Sequence, residues 1–265
     1  MYAFEYQRPD TIEAATLAAQ GAEARFLAGG QSLVQAMKLR LSSAERLVDL
    51  AGVTALRGIS ASATEVTIGA MVRHAEVAAS ATVRQAIPGL AELAAGIGDA
   101  MVRNLGTLGG SLATADPAAC YPAALVALGA RVKTTQREIA ADDFFTGLYE
   151  TVLRAGELIV SVTFPIPLKA AYAKYKQPAS RFAMVGVMVS QTAAGVRVAV
   201  TGARSAVFRV PELEQALSAD FSAAAASSVT LPADDLNADI HCSAQYRAAM
   251  IVVMTARAVT AAQAR

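Results

Sequence analysis

The sequence has few of the residues on which several kinds of functional site depend. Its 265 residues include two cysteines, two histidines and no tryptophan. Cys120 and Cys242 lie far apart and form no CxxC pair, which argues against a disulfide scaffold, a zinc site or an iron–sulfur cluster held by this chain. Without a GxSxG motif, His74 and His241 give little support to nucleophilic hydrolysis. We expect each histidine to be a helix cap or a surface residue.

An excess of one charge and long apolar runs are also missing. The 23 basic and 22 acidic residues leave a net charge of +1, so a nucleic-acid partner is not expected. The longest apolar runs, such as "MIVVM" at 250–254, are too short to span a bilayer. The N-terminal "MYAFEYQRPD" shows no signal-peptide pattern. With 54% hydrophobic residues, the chain is expected to be a globular, cytoplasmic protein with a large core.

The spacing of apolar residues predicts an α+β protein in two domains. Helices are expected at 11–20, 32–41, most of 74–97, 117–130, 211–217 and 243–262, with a helical turn at 142–147. Strands are expected at 24–30, 46–50, 65–70, 131–135, 137–140 and 157–165. Thr11 and Ser32 are expected to cap the first two helices. The two prolines of "PIPLKAA" mark a domain boundary, after which strands at 171–177, 183–191 and 196–203 are expected to form an antiparallel sheet.

Glycine is concentrated in two short stretches. "AGGQSL" at 28–33 and "LGGSL" at 108–112 each place a Gly–Gly pair beside a serine. Because glycine lets a ligand approach the backbone closely, two such turns facing each other would form a nest for a diphosphate. The amide donors would come from Gly29, Gly30, Gly109 and Gly110, and the hydroxyl donors from Ser32, Thr107 and Ser111. One turn alone is usually an ordinary loop, and the residues by themselves indicate only a phosphate-bearing ligand.

Five blocks of sequence occur in order along the chain. They are "FLAGGQSLVQAMKLRL", "TIGAMVRHAEV", "IGDAMVRNLGTLGGSLATADPAA", "FFTGLYETVLRAGELI" and "YKQPASRFAMVG". Together they closely resemble the FAD-binding medium subunit of the molybdenum hydroxylases, the group of carbon monoxide dehydrogenase and xanthine dehydrogenase. The resemblance implies an FAD-binding PCMH-type domain of the vanillyl-alcohol oxidase type at 1–168, in subdomains of about 1–55 and 56–168. A small C-terminal α+β domain with an antiparallel sheet would follow at 169–265.

The resemblance also implies which residues bind FAD. Both glycine stretches would hold its pyrophosphate, through Ala28, Gly29, Gly30, Gln31, Ser32, Leu33, Thr107, Leu108, Gly109, Gly110 and Ser111. Ile97 would pack near the flavin end, Ile159 would touch the ring system, and Lys176 would lie beside it and favour the reduced, anionic flavin. Phe182 is a further candidate for an aromatic residue at the ring. Read without the resemblance, Lys176 is an exposed lysine on a strand.

The chain departs from the family pattern at Cys120. Members of the family usually have an aspartate here that contacts the cofactor. A partly buried thiol would fill the space but remove one hydrogen-bond acceptor, a loss of about 0.5–1.5 kcal/mol. FAD binding is expected to survive this loss.

The family implies a role in electron transfer. A molybdenum large subunit oxidises the substrate, [2Fe–2S] clusters of a small subunit carry the electrons to FAD on this chain, and an external acceptor receives them. The complex is expected to be a dimer of heterotrimers, and this chain needs no catalytic acid, base or nucleophile. Two other functions stay open: a self-sufficient FAD-dependent oxidase or reductase of the same fold superfamily, and a degenerate subunit that has lost FAD.

Overall fold

The computed structural model describes residues 1–21 and 23–265 and contains both helices and sheets. Its strands are β1 Glu5–Gln7, β2 Ala24–Leu27, β3 Arg46–Asp49, β4 Ile59–Ala61, β5 Glu65–Gly69, β6 Arg131–Thr134, β7 Glu138–Ala140, β8 Phe145–Gly147, β9 Glu150–Thr151, β10 Ile159–Pro165, β11 Lys169–Lys176, β12 Ala183–Thr192, β13 Gly195–Thr201 and β14 Phe208–Arg209. Its α-helices are α1 Ile12–Ala18, α2 Leu33–Lys38, α3 His74–Ala79, α4 Ala81–Ala86, α5 Pro88–Ala95, α6 Ala100–Leu105, α7 Leu108–Thr114, α8 Tyr121–Leu128, α9 Pro211–Ala219, α10 Ala223–Ser227 and α11 Ala244–Gln263.

The helix starts agree with the sequence signals at α1 and differ at two other helices. Thr11 caps α1 as expected, because its Oγ1 accepts a hydrogen bond from the Ala14 N–H at 3.1 Å. Ser32 precedes α2, but its side chain makes no capping hydrogen bond, so that expectation is wrong. The helix expected from residue 117 begins at Tyr121, because Asp116 Oδ1 accepts from the Ala118 N–H at 2.8 Å and holds this segment in a turn.

One further local expectation is only partly met. The segment 142–147 was expected to form a helical turn. The structure has a 3-10 turn at Ala141–Asp143 and then the short strand β8, which pairs with β9 in an antiparallel hairpin. Phe144 accounts for the difference. Its side chain is fully buried in the main core, and Phe145 packs against the same core, so the segment leaves the helical turn after Asp143.

The first glycine stretch follows a small parallel sheet. Strands β1 and β2 both pair in parallel with β3, in the order β1-β3-β2. Residues 28–32 therefore leave the carboxyl end of β2 at the edge of the sheet where ligands of parallel sheets commonly bind. The sheet packs on an apolar cluster that includes Val48, Leu50, Leu56 and Leu158.

The second glycine stretch belongs to the layer of helices on a larger sheet. Five strands pair antiparallel throughout, in the order β4-β5-β10-β6-β7. Helix α8 contacts β10 of this sheet and also β12 and β13, and all of its residues are buried. Leu125 of α8 and Met188 of β12 belong to the same apolar core, so this core is continuous across the chain segment at 165–169.

The C-terminal part contains the antiparallel sheet that was expected. Strands β11, β12, β13 and β14 pair in chain order, and α9 and α11 pack on one face through residues such as Leu213 and Ile251. The contacts of α8 occupy the opposite face. In the described parts of the chain, no helix is long and apolar enough to cross a bilayer.

A buried carboxylate fixes the loop between β9 and β10. Glu157 Oε1 accepts from Thr134 Oγ1 at 2.7 Å and from Arg137 Nε at 3.0 Å, while its Oε2 accepts from the Arg154 N–H at 2.9 Å. Burial alone would raise the pKa of Glu157. The donors outweigh burial and lower that pKa to about 2, so the ionised carboxylate stabilises the loop.

We expect Glu157→Gln to lower the free energy of unfolding at pH 7 by about 2 kcal/mol, since a neutral amide replaces a well-bonded buried carboxylate. The pKa of Glu157 is depressed from 4.5 to about 2. Its contribution to stability is therefore complete above pH 4.5 and is lost as the pH falls towards 2. Urea unfolding of the wild-type chain and of Glu157→Gln, at pH 7 and at pH 3, measures the difference in their free energies of unfolding. The difference between them should shrink at pH 3, and an equal difference at both pH values would contradict the assignment.

Candidate cofactor site

The two glycine stretches lie against each other. A Cβ added at Gly29 would clash with the carbonyl of Leu105 and lie 2.8 Å from the Cα of Gly106. A Cβ added at Gly110 would lie 3.4 Å from the Cβ of Ala28. Only glycine at position 29 lets the chain leaving β2 approach the backbone ahead of α7 this closely. The two stretches therefore face each other, as the sequence predicts.

The first stretch offers amide groups that no protein atom uses. Among residues 1–21 and 23–265, the N–H groups of Gly29, Gly30, Gln31, Ser32 and Leu33 donate to no protein acceptor. Gly30 has φ +69°, a conformation that favours glycine and turns the chain here. The Ser32 hydroxyl makes no capping bond and is a further donor. Successive free N–H groups of this kind form a concave site for an anion.

The second stretch does not offer its amides, which corrects the sequence expectation. Gly109 N–H donates to the carbonyl of Ala70 at 2.8 Å, and Gly110 N–H donates to Thr107 Oγ1 at 3.1 Å. The reason is that Thr107 caps α7, so the glycines form the first turn of a helix. A Cβ at Gly109 would lie 2.7 Å from the Cβ of Ala70. Gly109 and Gly110 therefore allow close packing and do not supply free donors.

A pocket of about 280 Å³ lies beside the contact between the two stretches. Its wall contains Leu27, Ala28, Gly29, Gly30, Val34, Asp49, Ala51, Arg57, Met71, Arg73, Leu105 and Thr107. The wall includes Ala28, Gly29 and Gly30 of the first stretch and Thr107, the residue just before the second stretch. The other predicted site residues of the two stretches lie outside the wall: Gln31, Ser32, Leu33, Leu108, Gly109, Gly110 and Ser111. This volume is at the lower limit of ligand pockets, so it fits a portion of a dinucleotide.

Lys174 was not predicted from the sequence as a site residue. It lies beside Cys120, which was expected to contact the cofactor, and beside Gly96, the neighbour of Ile97. Its Nζ donates to the carbonyls of Gly96 at 2.7 Å and Arg181 at 3.0 Å, and lies 3.5 Å from the buried Cys120 Sγ. Lys174 and Lys176 are two positions apart at the end of β11, where the pairing with β12 shifts register between Tyr175 and Lys176. Lys176 is exposed. The sequence signal that could have identified Lys174 is its position two residues before Lys176.

The other residues expected to contact FAD differ in exposure. Ile97 is half-buried and packs on the main core, whereas Leu108 and Ile159 are buried within it. Contact of Ile159 with the flavin ring stays a prediction. Phe182 is 48% exposed and lines a second pocket of about 400 Å³, which Ala118 forms with the loop between β11 and β12, the start of β12, Gly202 and residues at and before α11. The aromatic ring of Phe182 is therefore available to a ligand.

His74 is not the cap or surface residue that was expected, whereas His241 is exposed. His74 is only 5% exposed, and a Cβ added at Gly106 would lie 2.6 Å from its Nε2. Burial, assisted by the positive charge of Arg103, lowers the pKa of His74 to about 4, so it is neutral at pH 7. No group of three His, Cys, Asp or Glu side chains in the described residues is placed to hold a metal ion.

The sequence and the fold both match known proteins. Residues 2–167 match a family model described as the FAD binding domain in molybdopterin dehydrogenase. The chain is 35% identical to the carbon monoxide dehydrogenase medium chain of Hydrogenophaga pseudoflava, over 99% of this chain and 98% of that one. It is 34% identical to the nicotine 6-hydroxylase medium subunit of Paenarthrobacter nicotinovorans, over 99% and 98% of the two chains.

Two solved structures have the same fold. A carbon monoxide dehydrogenase from Hydrogenophaga pseudoflava matches with a TM-score of 0.88 and 33% identity, over 99% of this chain and 98% of that one. Quinoline 2-oxidoreductase from Pseudomonas putida 86 matches with a TM-score of 0.88 and 32% identity, over 98% and 97% of the chains. The chain belongs to the family of FAD-binding domains of molybdopterin dehydrogenases. It is an FAD-dependent oxidoreductase subunit of the molybdenum hydroxylase type, which confirms the expected fold class and cofactor.

We expect Gly29→Ala to raise the Kd for FAD about tenfold or more, because its Cβ pushes the two glycine stretches apart. Titration of the apoprotein with FAD, followed by flavin fluorescence, measures this. Gly156→Ala is the matched control, since Gly156 has φ +72° and open space around it. That variant should lose about 1 kcal/mol of stability and keep its FAD affinity. Wild-type affinity in Gly29→Ala would show that the close approach does not shape the site.

We expect Cys120→Asp to lower the Kd for FAD about fivefold, since it restores the acceptor that the family pattern places at the cofactor. The new carboxylate would also lie beside Lys174, whose Nζ is 3.5 Å from Cys120 Sγ. Titration of the apoprotein with FAD measures the effect, and Cys120→Asn separates the carboxylate charge from the side-chain shape. Unchanged or weaker affinity in Cys120→Asp would contradict the assignment of this position.

Proposed function

We propose that this chain holds FAD between an iron–sulfur small subunit and a molybdenum large subunit, and passes electrons from [2Fe–2S] clusters to an external acceptor. The observation that carries the proposal is the row of unused N–H groups from Gly29 to Leu33, beside a pocket that Gly29, Gly30 and Thr107 line. Membership of the family supports the diphosphate of FAD as the anion that these groups would bind.

The donors of the first stretch suit a diphosphate in number and in kind. Its N–H groups and the Ser32 hydroxyl can each donate to a phosphate oxygen. Gly29 and Gly30 have no Cβ to keep a ligand away from these donors. Thr107 is occupied in capping α7, so the second stretch shapes the site mainly by its packing against Ala28. We therefore place the diphosphate mainly on residues 29–33.

Two lysines support a flavin position near the C-terminal sheet. Lys174 and Lys176 lie close together at the end of β11, and Lys174 Nζ is held at the Gly96 carbonyl and near Cys120. When bound, FAD supplies the capacity to take up electrons singly or in pairs. Positive charge at these lysines favours the negative charge of a reduced flavin. The site needs no acid or base from this chain for electron transfer.

The names of relatives support a complex of several subunits. Two relatives that align with this chain over nearly their whole length are called a medium chain and a medium subunit. The chain itself has two cysteines, both of them buried and neither of them in a disulfide. This composition supports iron–sulfur clusters on a partner, because each cluster needs several cysteine ligands. We infer a dimer of heterotrimers with the molybdenum cofactor on the large subunit.

Purification of the tagged chain from its native cell tests the proposal. Absorbance spectroscopy, chromatography of the released cofactor and metal analysis of the co-purified proteins are the measurements. We expect one FAD per chain, with partner subunits that contain iron and molybdenum. A flavoprotein without such partners that oxidises its own substrate would instead support a self-sufficient oxidase. A colourless chain that FAD cannot reconstitute would indicate a degenerate subunit, and either result would overturn the proposal.

A further inference from the structure

Arg73 occupies a helix position that is unfavourable for a cation. It is the residue before α3, where Ser, Thr, Asp or Asn usually accepts a hydrogen bond from the first turn. Glu76 Oε2 accepts from the Arg73 backbone N–H at 2.7 Å, but the guanidinium has no acceptor for the helix N–H groups. A positive charge at this end of a helix is also repelled by the helix dipole. Helix stability therefore does not explain arginine here.

The surroundings of Arg73 place it at the diphosphate site. Arg73 forms a β-bridge with Thr107, and the His74 N–H donates to the Gly106 carbonyl at 3.0 Å, so this segment runs alongside the second glycine stretch. Arg73 is one of the residues that line the same 280 Å³ pocket as Gly29 and Gly30. The bridge to Thr107 therefore holds Arg73 beside the two glycine stretches.

Arg57 is a second cation in the wall of this pocket. Its Nη2 donates to the carbonyl of Ala51 at 3.3 Å. In the described part of the chain, neither Arg57 nor Arg73 forms an ion pair. Both guanidinium groups therefore keep donors for an anion in the pocket.

The one carboxylate of the pocket wall is already engaged. Asp49 Oδ1 accepts from the Ala51 N–H at 2.9 Å, and its Oδ2 accepts from the Tyr6 hydroxyl at 2.5 Å. Arg8 Nε lies 4.0 Å from the same Oδ2 and balances its charge. Arg57 and Arg73 therefore give this pocket an excess of positive charge, next to the unused N–H groups of the first stretch.

We propose that Arg73 and Arg57 bind the diphosphate of the cofactor together with the N–H groups of residues 29–33. This pair makes the chain favour a flavin that carries phosphate over riboflavin, which carries none. A planar guanidinium can donate two hydrogen bonds to one phosphate, so each arginine recognises the charged bridge and not the flavin ring. The inference rests on the proposed function, because it takes FAD as the ligand.

Arg73→Ser provides a sharp test, since serine is a good cap for α3 and removes the cation. We expect the Tm of the apoprotein to stay the same or rise, while the Kd for FAD rises about tenfold at low salt. The Kd for riboflavin, which has no phosphate, should not change. ADP should compete with FAD on the wild-type chain and bind less tightly to the variant. Arg57→Ala should likewise raise the Kd for FAD and leave the Kd for riboflavin unchanged.

Arg257→Ala is the matched control, because Arg257 is exposed on α11 in the C-terminal part. It should leave every flavin affinity unchanged. Wild-type FAD affinity in Arg73→Ser, or an equal loss of FAD and riboflavin binding, would overturn the inference and leave the proposed function intact. A wild-type chain that binds no FAD would overturn the proposed function itself, so the two failures are distinguishable.

Discussion

The contact of Gly29 with the Leu105–Gly106 backbone is the constraint on which the site depends. It joins the small parallel sheet to the helices of the larger antiparallel sheet, and a side chain at position 29 would prevent it. Residues 29–32 connect β2 to α2 beside this contact, and the N–H groups of residues 29–33 remain unused within the described chain. The pocket lies next to the same contact and has Thr107 in its wall.

Two similar glycine stretches therefore have different physical roles. The second satisfies its own amides, since Gly109 bonds to Ala70 and Gly110 bonds to Thr107, and its glycines permit close packing. The first leaves its donors unpaired, which costs free energy wherever water does not reach them. The diphosphate that we propose for this site would offset that cost. Arg57 and Arg73 add positive charge to the pocket beside the first stretch, although neither belongs to a glycine stretch.

Local features of the fold were predictable and the long-range contacts of the site were only partly so. Apolar spacing identified the antiparallel C-terminal strands, and Thr11 was a recognisable cap. A Gly–Gly–Ser pattern does not say where a helix begins, so the bonded amides of Gly109 and Gly110 were missed. Arg57 and Arg73 reach the wall of one pocket only through the tertiary structure. Sequence spacing carries no signal for this shared location.

Hydrogen exchange of individual amides tests most directly whether residues 29–33 hold the diphosphate. In the apoprotein these amides should exchange fast, whereas those of Gly109 and Gly110 should be protected because they are already bonded. On addition of FAD, protection should appear at residues 29–33 and change little at the two later glycines. Protection that appears only at 109–110, or amides at 29–33 that FAD does not affect, would contradict this account.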